Sequence, residues 1–108
     1  MRNSRFGVGD VIKHRLFGYR GVVVDVDAGC MASDEWYETV ARSRPPRDKP
    51  WYHVLPDGMA HTTYVAERNL LRDRLGEPVE HPLIEEIFDD FIDGRYLFTD
   101  DRLRHSLN

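Results

Sequence analysis

Little in this chain advertises side-chain chemistry. There is one cysteine in 108 residues. A single thiol has no internal partner, which excludes a disulfide-stapled fold and makes a reducing cytoplasm the expected setting. No apolar run approaches the roughly 20 residues that span a bilayer, so no membrane contact is expected. Residues Met1 to Gly7 lack the apolar core of a signal peptide. There is no phosphate-cradling glycine loop. His14, His53, His61 and Cys30 form no closely spaced pair of the zinc-site kind, so no metal is expected. Cys30 lies near acidic residues, which disfavour a nucleophilic thiolate. Asp25 and Asp27 stand two apart, but a strand end meeting solvent explains them more simply than acid–base work. No cofactor is expected, and the chain reads as a binding protein rather than an enzyme.

What is present centres on Gly18-Tyr-Arg-Gly-Val-Val-Val-Asp-Val-Asp27. Its β-branched run suits a pleated surface. Simple alternation puts Val22, Val24 and Val26 on an inward face, with Val23, Asp25 and Asp27 opposite. The stretch is the expected central strand. Before it, Phe6-Gly-Val-Gly-Asp10 is a turn feeding a strand over Val11–Arg15, and Leu16-Phe-Gly18 is a break. After it comes a long loop, 28–50, in which Ser33 caps a short helix reaching Arg42. Ser43-Arg-Pro-Pro-Arg-Asp-Lys-Pro50 ends that helix as an exposed, basic, extended segment. Trp51–Leu55 reads as a strand, Pro56-Asp-Gly58 as a turn, Met59–Val65 as the return strand and Leu70-Leu71 as a short closing strand. Alternation within Trp51-Tyr52 places one ring in the core and leaves Trp51 partly exposed beside the basic loop. The expected fold is mainly β: a small five-stranded SH3-like barrel over 5–75.

The remaining residues, 76–108, differ in character. Residues 1–75 hold 12 Lys/Arg against 10 Asp/Glu, whereas 76–108 hold 3 against 9. Pro82 opens and Gly94 closes a stretch in which Leu83, Ile87 and Phe91 recur at helical spacing, with Ile84, Phe88 and Ile92 beside them. The expectation is an acidic extension carrying an amphipathic helix. Its apolar stripe either packs on its own domain or docks a partner or another copy of the chain, as a homo-oligomer. Thr99 to Asn108 read as a frayed end.

Phe6-Gly-Val-Gly9, Val11-Ile-Lys-His14, Gly18-Tyr-Arg-Gly-Val-Val-Val-Asp-Val-Asp27, Pro50-Trp-Tyr-His-Val54 and Tyr64-Val-Ala-Glu-Arg-Asn-Leu70 together resemble the HspQ heat-shock family, the YccV-like hemimethylated-DNA-binding proteins. The ordered blocks cover about 5–71. The resemblance implies an SH3-like barrel in a bacterial cytoplasmic protein that binds hemimethylated DNA. It also implies an adaptor role with the Lon protease, promoting degradation of denatured client proteins and of regulators such as the replication initiator. The family offers no catalytic residues to carry over.

Two function classes follow from the residues. For DNA, Lys13, Arg15 and Arg20 gather with Tyr19 around the first turn, and Arg42, Arg44, Arg47 and Lys49 line the loop before Trp51. Cations for phosphates and aromatics for bases are the types that nucleic-acid contact needs. For a protein adaptor, the stripe of Leu83, Ile87, Phe88 and Phe91 is the expected docking or assembly face. A third reading, from the glycine and histidine pattern of the first two strands, is a Tudor-like module that contacts RNA polymerase or another protein without DNA.

Overall fold

A computed structural model describes residues 4–41 and 43–98. Arg42 and the stretch from Thr99 to Asn108 lie outside the described residues. The β-branched and aromatic runs become strands where the sequence places them: β1 (Val11–His14), β2 (Arg20–Asp27), β3 (Trp51–Pro56), β4 (Thr63–Ala66) and β5 (Leu70–Arg72). They form one antiparallel sheet in the order β4-β3-β2-β1-β5, so the valine-rich β2 lies at its centre. The return strand is shorter than its apolar pattern suggests and begins only at Thr63. A 3-10 turn, Glu67–Asn69, joins the two edge strands. No ladder joins β4 to β5 among the described residues, so the five strands form an open sheet and not a closed barrel.

Helix α1 (Asp34–Val40) starts as its sequence dictates. The Ser33 hydroxyl accepts the Trp36 amide at 3.1 Å, and Asp34 and Glu35 occupy the positive end of the helix.

The pattern of inward valines is corrected by a bulge. Val23 pairs with Val54 but Asp25 pairs with His53, which leaves Val24 as an extra residue in β2. One inserted residue flips every side chain beyond it to the other face. Val23 and Val26 therefore pack on one side of the sheet, and Val22 and Val24 on the other. The first side joins Phe6, Ile12, Val23, Tyr52, Val54, Val65 and Leu70. On the second side Val11, Val22 and Leu55 meet Val79, Phe88 and Tyr96. Both faces of the central strand are thus covered, which is why its run of valines is continuous.

The C-terminal segment supplies that second cover, and not as the expected helix. Only Ile84–Ile87 is helical (α2). Asp90–Ile92 (β6) and Arg95–Leu97 (β7) form a hairpin, paired Asp90–Leu97 through Ile92–Arg95. Asp93 and Gly94 both have positive φ, 54° and 78°, the backbone of a tight primed turn. The hairpin docks through β7. The Tyr96 amide donates to the Gly9 carbonyl at 2.9 Å, Arg95 reaches the Asp10 carboxylate, and the Tyr96 hydroxyl accepts from the Val79 amide at 2.8 Å. Gly9, at φ 99°, is required there, because a Cβ would run into the Tyr96 carbonyl. Among the described residues no helix is long and apolar enough to cross a membrane.

Candidate nucleic-acid interface

The edge formed by β1 and β5 carries an open groove lined by Arg5, Lys13, Gly18, Arg20, Leu71, Arg72, Asp73, Arg74 and Leu75. Strand pairing places Lys13 opposite both Arg20 and Leu71, and Ile12 opposite Arg72. The cations do not share one job. Arg20 is 16% exposed and forms a bidentate pair with Asp73, both bonds at 3.2 Å. It also donates to the Glu77 and Pro78 carbonyls and lies 3.7 Å from Asp57. The Asp73 bond above all, with the charges of Asp57 and Glu77 nearby, raises its pKa above the usual value. Arg20 therefore anchors the chain after β5 and neutralises Asp73, whose side chain is 6% exposed. With Asp73 cancelled, Lys13, Arg72, Arg74 and Arg5 leave the groove positive. Arg5 and Arg72 rest over the Phe6 ring at 5.1 and 5.5 Å, a cation–π contact for each.

The other cations named from sequence are dispersed. Arg15 donates to the Arg68 carbonyl at 2.9 Å and to Asn69 Oδ1 at 3.2 Å. Arg44 pairs with Glu38 at 2.8 Å and Arg47 with Asp34 at 2.7 Å. Both guanidinium groups lie by the Tyr37 ring, Arg47 at 4.7 Å. The proline-rich loop is thus folded back on α1 rather than extended. Lys49 is exposed at its end.

Trp51 is not beside that loop in solvent. It is 2% exposed, packs with Tyr37 and Ala66, and donates its indole N–H to the Pro46 carbonyl at 3.0 Å. Tyr52 is fully buried on the opposite face. The alternation is real, but α1 and its loop cover the face that was expected to be open.

Around the β1–β2 turn the chain forms a second recess, about 590 Å³, whose walls include His14, Phe17, Tyr19, Trp36, Val40 and Tyr64. The turn is built on His14, whose Nδ1 accepts the Leu16 and Phe17 amides, both at 3.1 Å. That fixes the proton of the neutral ring on Nε2. Burial, and secondarily Arg15, lower the imidazole pKa below its ordinary value, so the neutral form is favoured. Phe17 stacks on His14 at 4.6 Å while remaining 77% exposed. Tyr19 holds the far side through a 2.9 Å bond with Thr63.

Asp25, Asp27 and His53 each bring one ligand atom to within 4.8 Å of the others. Asp27 already accepts from the Tyr64 hydroxyl at 2.7 Å and meets His53 Nε2 at 3.0 Å. The Tyr64 bond, above all, lowers the Asp27 pKa. Asp27, His53 and Tyr64 thus tie β2, β3 and β4 together.

The apolar stripe of the C-terminal segment turns inward. Phe88 is buried, and Leu83, Ile87 and Phe91 pack against the same cluster as Val11, Val22 and Leu55. Sequence reasoning missed Arg5, Arg72 and Arg74 as groove residues. Arg72 and Arg74, two apart at and just beyond the closing strand, are the signal that would have found two of them. It also read Leu16-Phe17 only as a break, although two exposed apolar residues in a tight turn are themselves a signal.

This geometry is a basic groove beside an aromatic recess on a small open sheet. A family model described as "Hemimethylated DNA-binding protein YccV like" matches residues 4–95, and with most of its length matched the chain belongs to the YccV-like family.

Proposed function

We propose that this protein binds hemimethylated DNA, with phosphates lying along the groove of Arg5, Lys13, Arg72 and Arg74. The observation that carries this reading is the charge of the groove. Its one lining carboxylate, Asp73, is paired with Arg20, so the remaining lining charges are positive. Membership of the YccV-like family supports the choice of hemimethylated DNA over other polyanions. A net charge of −4 does not oppose this, because a local groove is what a phosphate meets within a Debye length of about 8 Å. We read the curled five-stranded sheet as a partly open SH3-like barrel, with 5–75 carrying the binding surface and Lys13 its central phosphate contact. No catalytic step is part of this reading.

The adaptor role with a Lon-type protease, in the cytoplasm, is a second part of the proposal and rests on the resemblance to the HspQ family. Leu83, Ile87, Phe88 and Phe91 support the cover of the sheet more directly than a docking face, so a client or protease contact is better sought on exposed residues such as Met31, Met59 and Leu75. The test for DNA is competition among three duplexes of one sequence: unmethylated, hemimethylated and fully methylated. Preferential retention of the hemimethylated duplex by the full chain is expected. Equal retention of all three removes methylation from the reading, and retention of none removes DNA.

A further inference from the structure

The recess beside the β1–β2 turn has no role in the reading above, which uses the groove on the other side of the same turn. Lys13, Gly18 and Arg20 line the groove, whereas His14, Phe17 and Tyr19 line the recess. One short turn therefore separates a phosphate track from a ring-lined cavity. No carboxylate lines the cavity. Arg15 is bonded to Asn69 in its wall, so the flanking charge is again positive.

A second observation concerns His14, which is 5% exposed. Its Nδ1 is used by two amides, so Nε2 carries the proton. No protein acceptor takes that Nε2–H among the described residues. Yet no buried side-chain nitrogen or oxygen there lacks a partner. The Nε2–H is therefore reached by solvent, and His14 is a wall residue of the cavity. A nearly buried donor is thus available to an acceptor on an occupant.

We propose that this cavity receives a nucleobase unstacked from the bound duplex, with Phe17 and Trp36 as ring contacts and His14 Nε2–H donating to the base edge. The inference rests on the DNA-binding reading. A planar, apolar-faced ring with acceptors on its edge matches the cavity, and the phosphates on either side of such a base match the groove and Arg15. The exposed Leu16 and Phe17 stand where a side chain would support the opened base step.

The experiment compares two duplexes by fluorescence anisotropy with the full chain at one salt concentration. One is fully paired; the other carries a single mismatch, which lowers the cost of unstacking. Wild-type protein is expected to bind the mismatched duplex about tenfold more tightly, with quenching of tryptophan fluorescence. F17A removes a side chain that is 77% exposed, so the fold is kept. It should lose the mismatch preference while retaining affinity for the paired duplex. V40D, which puts a carboxylate at the cavity wall, should behave likewise. Equal affinity of wild type for both duplexes overturns the base pocket but leaves the groove. So does an undiminished preference in both variants. Self-association of the wild type that F17A abolishes, seen by sedimentation without DNA, assigns the cavity to a contact between copies and also overturns it. Failure to bind either duplex at low salt instead overturns the DNA reading on which the pocket depends.

Discussion

Trp51 and Tyr52 are adjacent and both buried, because β3 has a core on each side. Alternation was legible in the sequence. The cover supplied by α1 was not, since nothing local tells a strand what will pack on it. W51A removes the centre of an aromatic cluster that includes Trp36, Tyr37 and Tyr64. It should cost about 3–5 kcal/mol in denaturant unfolding, as large aromatic truncations in packed cores do; a loss under about 1 kcal/mol would show that the cluster can collapse. His14 adds a pH signature. Its folded pKa is lowered, so the unfolded chain binds the proton first and stability falls as pH drops from about 6.5 toward the folded value. H14Q should flatten that part of the stability curve. At the alkaline end, Tyr52 and Tyr64 are each raised to about 12, chiefly by burial. Their contribution is complete below about pH 10 and is lost as pH climbs toward 12.

At the scale of elements, β2 and α1 followed from local signals: a β-branched run, and a serine cap with acids behind it. The bulge at Val24 had no such signal. Its cause is tertiary, the need to satisfy two apolar clusters with one strand. The C-terminal segment is the instructive case. Leu83, Ile87 and Phe91 have helical spacing, but Asp93-Gly94 is a hairpin turn pair, and here the turn chemistry decides the structure over 90–97. G94A places a side chain at φ 78° and should destabilise by about 1–2 kcal/mol. G9A should cost more, because its methyl meets the Tyr96 backbone and parts β7 from the sheet. Thermal unfolding of the two variants checks the order; a milder G9A would mean that β7 docks loosely. A chain ending near Gly76 loses Val79, Phe88 and Tyr96 from over Val11, Val22 and Leu55. It should unfold rather than gain DNA affinity by shedding acidic residues, and circular dichroism of that truncation decides the matter.

For the whole molecule, net charge is a poor guide to where an anion is met. The apolar residues of the C-terminal segment cover one face of the sheet, while Arg5, Lys13, Arg72 and Arg74 line the groove at the β1–β5 edge. Of the four proposed phosphate contacts, only Lys13 was legible from sequence. The rest was not, because β5 comes beside β1 only when the sheet forms, and because ion pairs claim Arg20, Arg44 and Arg47. The most direct test is the salt dependence of affinity for a hemimethylated duplex, measured for the wild type and for R72A/R74A. Phosphate contact through the groove predicts a steep linear fall of log affinity with log salt, and a slope shallower by about 2 in the double variant. An unchanged slope, with an intact fold, would contradict the groove as the DNA-binding surface.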